Sequence, residues 1–327
     1  MKVLLVTGGA GFIGSNFISY ILKNYTDFIV INYDNLTYAG NLENLHDVAL
    51  YPRYIFVKGD ICDNDKVNEV FSNYTPDFIV NFAAESHVDR SIESPLVFGQ
   101  TNLIGTLNLL SCAHKLWGKA GYEGHRFLQV STDEVYGSLE NLEDFFTEQT
   151  QLQPNSPYSA TKAGADLLAR AFFKTYGFPV IVTRCCNNYG PYQYKEKFIP
   201  TCISKALSGQ PIPIYGEGNN IREWIHVLDH NAAIVKALLY GEIGEVYNIG
   251  SGAETTNIEM AGIILNILGK PHDAIVKVND RPGHDTRYAL DSSKSRKHLK
   301  WECTYNLKEG IENTVKWYID NRSWWDK

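Results

Sequence analysis

The stretch Val6-Thr7-Gly8-Gly9-Ala10-Gly11-Phe12-Ile13-Gly14 constrains this chain more than any other. It follows an apolar run, Lys2–Val6, and opens a helical pattern over Ile13–Asn24. Gly9, Gly11 and Gly14 satisfy G-x-G-x-x-G, while Gly8, Gly11 and Gly14 satisfy G-x-x-G-x-x-G. Without Cβ atoms such a turn can be tight. A pyrophosphate can then approach the helix N-terminus, where free N–H groups and the helix dipole favour anions.

The same rhythm continues downstream. Further β-branched, apolar runs at Phe28–Tyr33, Tyr54–Lys58, Phe78–Phe82, Arg126–Ser131 and Val180–Arg184 read as strands. Helical spacing fills Asp63–Asn73, Pro95–Lys115 and Ser159–Tyr176. This alternation predicts an α/β fold with a doubly wound, Rossmann-type parallel sheet covered on both faces. Asp34 closes the second strand, 20 residues beyond Gly14. There it is placed to accept hydrogen bonds from an adenosine ribose, which favours NAD over a 2′-phosphorylated cofactor. Asp60-Ile61, ending the third strand, would face the adenine, with a plain strand-terminal turn as the alternative. After about Gly190 the loops lengthen and fill with Pro, Gly and aromatic residues. The expected division is a cofactor domain over 1–190 and a smaller mixed α/β substrate lobe over 191–327, with a cleft between them.

A net charge of −7 and the lack of any Lys/Arg-rich block argue against sequence-independent nucleic-acid binding. The opening apolar run is too short for a signal peptide or a membrane span. Six cysteines without a C-x-x-C pair or a ligand spacing with His predict reduced thiols, a cytoplasmic enzyme and no metal site.

Two motifs carry chemistry. In "YSATK", Tyr158 and Lys162 stand four apart and share a helix face, where an ammonium would favour phenolate and make a general base. In "STDEVYG", Ser131 and Thr132 precede two acids, Asp133 and Glu134, at the end of an apolar run. Adjacent strand residues point to opposite faces, so both acids reach one substrate only if the backbone turns there. Taken alone, the acids read more readily as the first turn of a capped helix.

These motifs, in this order and with "NFAAESHVDRS" (81–91) between them, resemble the extended short-chain dehydrogenase/reductase family. "DNLTYAGN" (34–41), "TRCCNNYGPYQ" (183–193) and "RPGHD" (281–285) narrow the resemblance to its NAD-dependent sugar-nucleotide epimerase/dehydratase group. The resemblance spans essentially the whole chain. It implies that tightly bound NAD is held by Gly8, Gly11, Phe12, Ile13, Gly14, Asp34, Asn35, Leu36, Thr37, Asp60, Ile61, Ala83, Ala84, Glu85, Thr101, Ser131, Tyr158, Lys162 and Asn188. It implies a sugar-nucleotide site of Ser86, Thr132, Asn187, Lys197, Phe198, Pro213, Ile214, Tyr215, Arg222, Asn257, Arg281 and His284. Guanidinium forks such as Arg222 and Arg281 suit a diphosphate.

The resemblance further implies 4,6-dehydration. Tyr158 takes the C4 hydroxyl proton as hydride leaves C4, with Lys162 holding the phenolate and Thr132 bonding the new carbonyl. Glu134 then takes the C5 proton, Asp133 protonates the leaving C6 hydroxyl, and the hydride returns to C6. It also implies a return of chain 225–250 to the first domain and a homodimer through Pro95–Lys115 and Ser159–Tyr176. A 4-epimerase of the same group is the nearest alternative, and an NAD-sensing binding protein a remote one. Departures from the family's usual residues are Glu223 for Asp, Thr161 and Cys186 for Ser, and variation in "YKEK" (194–197).

Overall fold

The computed structural model describes residues 1–326. Six strands form over the first 185 residues: β1 (Lys2–Thr7), β2 (Phe28–Asp34), β3 (Tyr54–Lys58), β4 (Phe78–Asn81), β5 (Arg126–Thr132) and β6 (Val180–Cys185). Then come β7 (Asn187–Tyr189), β8 (Ile212–Tyr215), β9 (Ile221–His226), β10 (Val246–Ile249), β11 (Glu254–Thr256) and β12 (Ile275–Val278). The main sheet has the order β10-β6-β5-β4-β1-β2-β3, and every neighbouring pair is parallel.

Alternate residues along the strands feed two cores. Leu4, Val6, Val30, Val80 and Leu128 pack on one face with the Phe12–Asn24 and Val227–Tyr240 helices. Leu5, Ile31, Ile79 and Phe127 pack on the other with Leu109, Leu110 and Trp117. Burial on both faces explains why these strands read as unbroken apolar runs. Strand order reverses between β1 and β4, so the crossovers diverge and leave a crevice beyond the carboxyl ends.

A second layer stands over that crevice. It comprises a three-stranded sheet ordered β11-β9-β7 and the pair β12-β8. Its own core joins Tyr189, Ile199, Trp224, Met260 and Tyr318. The chain then crosses back, because β10 pairs with β6 in the main sheet. No helix among the described residues is long and apolar enough to cross a membrane.

One element departs from the sequence-based expectation. Pro95–Lys115 is not a single regular helix but Pro95–Phe98, a π-helical stretch Gly99–Gly105 and Thr106–Trp117. Glycine stands at both ends of the π turn. At Gly105 a Cβ would lie 2.5 Å from Ile61 Cδ1.

Candidate active site

A cavity of about 550 Å³ occupies the crevice, walled by both layers. Its floor begins at the glycine loop. Gly8 has φ +67°, and a Cβ there would sit 2.6 Å from Ala83 N; at Gly14 one would sit 2.3 Å from Gly8 O. Gly11 caps the following helix without any side-chain bond, leaving the first N–H groups to the cavity. Asp34 accepts from Ala10 N at 2.9 Å and from Leu36 N at 2.7 Å. Burial pushes its carboxyl up, and these two N–H groups pull it back. Across β3, Asp60 accepts from Cys62 N at 2.8 Å and from Asn35 Nδ2 at 2.9 Å, tying the ends of β2 and β3 together.

The far wall is built by β5 and the Pro157–Tyr176 helix. β5 ends at Thr132, whose hydroxyl caps a 3₁₀ turn, Asp133–Tyr136, by accepting from Glu134 N at 3.3 Å. Successive residues in such a turn are about 120° apart rather than opposed, so Asp133 and Glu134 both line the cavity. The cap and the shared pocket therefore coexist. Gly137 ends the turn at φ +93°, where a Cβ would meet Gln153 O at 2.5 Å. Beneath it, Tyr136 donates to Asn248 Oδ1 at 2.7 Å and accepts from Arg184, which also pairs with Asp166 at 2.9 Å. That buried network fixes the turn.

The two acids differ electrically. Burial pushes Asp133 well above the ordinary carboxyl range, and the charges of Glu134 and Glu223 push it further. Burial also raises Glu134, but Arg281, Lys197 and Arg222 all pull it back. Both carboxyls stay raised, Asp133 the further of the two.

Tyr158 and Lys162 are buried on the helix begun by the Ser156–Ser159 capping box. Lys162 Nζ donates to Val130 O at 2.7 Å. Burial, then Glu134, Cys185 and Asp133, raise the Tyr158 phenol, while a hydrogen bond with Thr132 opposes them. The expected lowering of the phenol by Lys162 is not found within the chain, since the ammonium is turned to a strand carbonyl and acids crowd the hydroxyl.

Of the residues singled out from sequence, Gly8, Gly11, Phe12, Ile13, Gly14, Asp34, Asn35, Thr37, Asp60, Ile61, Ala83, Ala84, Glu85, Ser86 and Thr101 line the cavity. So do Ser131 to Glu134, Tyr158, Lys162, Asn187, Asn188, Lys197 and Phe198. Leu36 lies off the wall and serves instead to hold Asp34, at φ +55°. Pro213, Ile214, Tyr215, Arg222, Asn257, Arg281 and His284 also lie outside it, in the upper layer. The Ile214 side chain belongs to that layer's core.

Several of these nevertheless gather near Glu134. Arg222 donates to the carbonyls of Ile221 (2.8 Å) and Asp285 (3.0 Å) and stacks on Tyr288 at 4.3 Å. Arg281 faces Asp89 at 3.5 Å, Tyr215 donates to Asp89 at 3.2 Å, and Lys197 donates to Ser86 O at 2.6 Å. Arg281 Nε is buried without a hydrogen-bond partner among the described residues, as are Ser131 Oγ and Asn187 Oδ1. Unpaired buried donors and acceptors, a glycine cradle and a cationic end fit a dinucleotide below and a phosphorylated sugar above.

Sequence reasoning missed Tyr194, Glu196, Cys185, Gln193, Val97 and Trp224, which also form the wall. The aromatic and charged "YKEK" loop was the available signal for the first two. Glu223, the departure from Asp, spends its longer side chain accepting from Gly252 N at 2.7 Å and Leu290 N at 2.9 Å. Thr161 accepts from Asn102 at 2.9 Å.

A family model described as GDP-mannose 4,6 dehydratase matches residues 5–314. A dTDP-glucose 4,6-dehydratase of Neisseria meningitidis serogroup B is 49% identical over 339 residues, covering 99% of this chain and 95% of that protein. The crystal structure of a dTDP-glucose 4,6-dehydratase from Streptomyces venezuelae with NAD bound superposes with a TM-score of 0.94 at 48% identity, covering 99% of each chain. A UDP-glucose 4-epimerase structure from Thermotoga maritima gives 0.88 at 30% identity, covering 98% of this chain and 100% of that one.

Proposed function

The chain belongs to the GDP-mannose 4,6 dehydratase family, and from that premise we propose that it dehydrates dTDP-glucose to dTDP-4-keto-6-deoxyglucose using NAD. The observation that carries the reading is the placement of Asp133 and Glu134 in one cavity with Tyr158, where burial raises both carboxyls and Arg281, Lys197 and Arg222 oppose it at Glu134. A 4-epimerase needs no acid–base pair for elimination. The choice of a thymidine nucleotide follows the Neisseria and Streptomyces relatives.

NAD, when bound, supplies the hydride acceptor at C4 and the donor at C6, and its cationic ring favours the ionised Tyr158. Residues 1–190 with 225–250 hold it, through the Gly8–Gly14 loop, Asp34, Asp60 and Thr101. Residues 191–327 supply the sugar-nucleotide contacts. Tyr158 removes the C4 hydroxyl proton, and Thr132 steadies the oxygen that becomes a carbonyl. That carbonyl acidifies C5–H. Glu134, kept ionisable by Arg281, Lys197 and Arg222, takes the C5 proton. Asp133, kept protonated by burial, gives its proton to the departing C6 hydroxyl. Reversal of the Glu134 transfer returns a proton to C5.

The protein acts in the cytoplasm, consistent with six cysteines that are all free thiols. It works as a homodimer through the exposed apolar side chains Ile92, Leu96, Val97 and Leu167.

The test is incubation of the purified protein with dTDP-glucose without added NAD. A 4-keto-6-deoxy product with no net reduced cofactor is the expected result. Formation of dTDP-galactose would replace this reading with epimerisation. Turnover of GDP-mannose in preference to dTDP-glucose would overturn the base assignment.

A further inference from the structure

We propose that Tyr38, Arg90 and Glu196 form a clasp across the cofactor cavity that retains the dinucleotide through the reaction cycle. The inference rests on reading the cavity as an NAD site. Its reason is chemical: hydride taken from C4 must return to C6 of the same sugar, so a cofactor lost midway strands an oxidised intermediate. Such a site has to hold its cofactor longer than one turnover.

Three segments, distant in sequence, form the walls. Thr37 and Ala39 come from the loop after β2, Glu85 from the loop after β4, and Tyr194 and Glu196 from the loop after β7. Tyr38 and Arg90 do not line the cavity. They meet each other instead, with the Arg90 guanidinium 3.7 Å from the Tyr38 ring centroid, a close cation–π contact. Arg90 also faces Glu196 at 4.0 Å. The Tyr38 ring meets Tyr194 edge-on at 5.6 Å and 77°. Burial raises this phenol beyond ordinary tyrosine values, and the charges of Glu196 and Glu85 raise it further, so it stays neutral.

The contacts close a triangle: the loop after β2 to the Val88–Glu93 helix that follows the second loop through Tyr38–Arg90, that helix to the loop after β7 through Arg90–Glu196, and the loop after β7 back to the first through Tyr38–Tyr194. None of the three loops can swing away from the cavity without breaking two of these links. The loop after β2 is otherwise anchored at its base, by Asp34 with Leu36 N and by Asn41 N with Ala10 O. Tyr38 lies between those anchors and gives the loop its tie to the opposite wall.

The experiment is exchange of bound, isotopically labelled NAD against excess unlabelled NAD, without sugar nucleotide. Tyr38→Leu and Arg90→Met are each expected to speed release about tenfold, and the double variant to exceed the faster single by less than about twofold, because both cut one clasp. Arg90→Lys keeps the charge but loses the planar stack, so an intermediate rate is expected. Melting temperatures at saturating NAD separate release from misfolding; where Arg90→Met does not fold, Arg90→Lys and Glu196→Gln decide. Release within twofold of the parent in folded variants overturns the clasp while leaving the cofactor reading intact. A parent protein that binds no NAD overturns both.

Discussion

Asp133 and Glu134 are neighbours in sequence, yet the reaction needs one to hold a proton and the other to lack one. Their surroundings make the difference. Burial raises both, but at Asp133 two like charges add to it against Thr132 and Arg222, whereas at Glu134 three cations oppose it and Asp285 adds to it. Glu134→Gln should therefore still oxidise C4, accumulate bound reduced cofactor at 340 nm and lose solvent exchange at C5, with turnover down about 10²–10⁴-fold. Normal elimination by this variant would show that another group is the base. The cations also set a pH limit. Glu134 works ionised, so the rate rises as pH climbs through its pKa; Arg281→Met removes the foremost of the groups lowering that pKa, and the acidic limb should move to higher pH. Stability responds in the opposite sense at Asp133. A folded-state pKa above the unfolded value means stability is full below the unfolded pKa and is lost as pH rises through the folded one. At neutral pH the wild-type carboxyl is thus a burden, and Asp133→Asn should melt about 1–3 °C higher at pH 8 while losing activity. At this scale the sequence was readable where chemistry is carried by residue type, as in Tyr158, Lys162 and the acid pair. It did not reveal that Lys162 is turned to Val130, since that depends on where a strand carbonyl ends up.

The elements were legible wherever pattern alone decides them. The glycine loop, the strands β1 to β6 and the Pro157–Tyr176 helix follow from runs, periodicity and spacing, within a residue or two at their ends. The π-helical stretch was not, because Gly99–Gly105 carries the same apolar spacing as an α-helix. What distinguishes it is tertiary: Gly105 packs against Ile61, and Asn102 points inward. Asn102 accepts from Glu85 N at 2.8 Å and donates to Glu85 O at 3.0 Å and Thr161 Oγ1 at 2.9 Å. One side chain thus joins the loop after β4 to the helix that carries Tyr158. Asn102→Ala leaves the Glu85 backbone groups without this partner, which should cost about 2–3 kcal/mol by denaturant titration. Because Glu85 lines the cavity, NAD affinity should fall in the same variant. A loss of stability without any loss of affinity would separate the two functions of the π turn.

For the molecule as a whole, the two helical regions that position Thr101 and Tyr158 also carry its most conspicuous unpaired apolar surface. Leu96 is 87% exposed, Leu167 56%, Val97 51% and Ile92 41% in the single chain. Scattered exposed leucines are ordinary, but here they fall on elements in mutual contact, the Val88–Glu93, Pro95–Phe98 and Pro157–Tyr176 helices. A twofold axis past this face would set each helix against its copy, and a stable interface of this kind covers roughly 1,200–2,000 Å² in total. The consequence reaches the site, since covering the outer side of the Pro157–Tyr176 helix would restrain its inner side, where Tyr158 and Lys162 stand. Leu96→Glu and Leu167→Glu each place a charge where a copy of the same charge would face it, and both should convert a dimer to a monomer in sedimentation velocity. The monomers should keep their fold by circular dichroism, because neither side chain contributes to the core. Their turnover should fall severalfold, through slacker placement of Tyr158 rather than weaker binding, so KM for the sugar nucleotide should change less than kcat. A parent protein that sediments as a monomer at micromolar concentration would move the interface elsewhere and leave this apolar face to another partner.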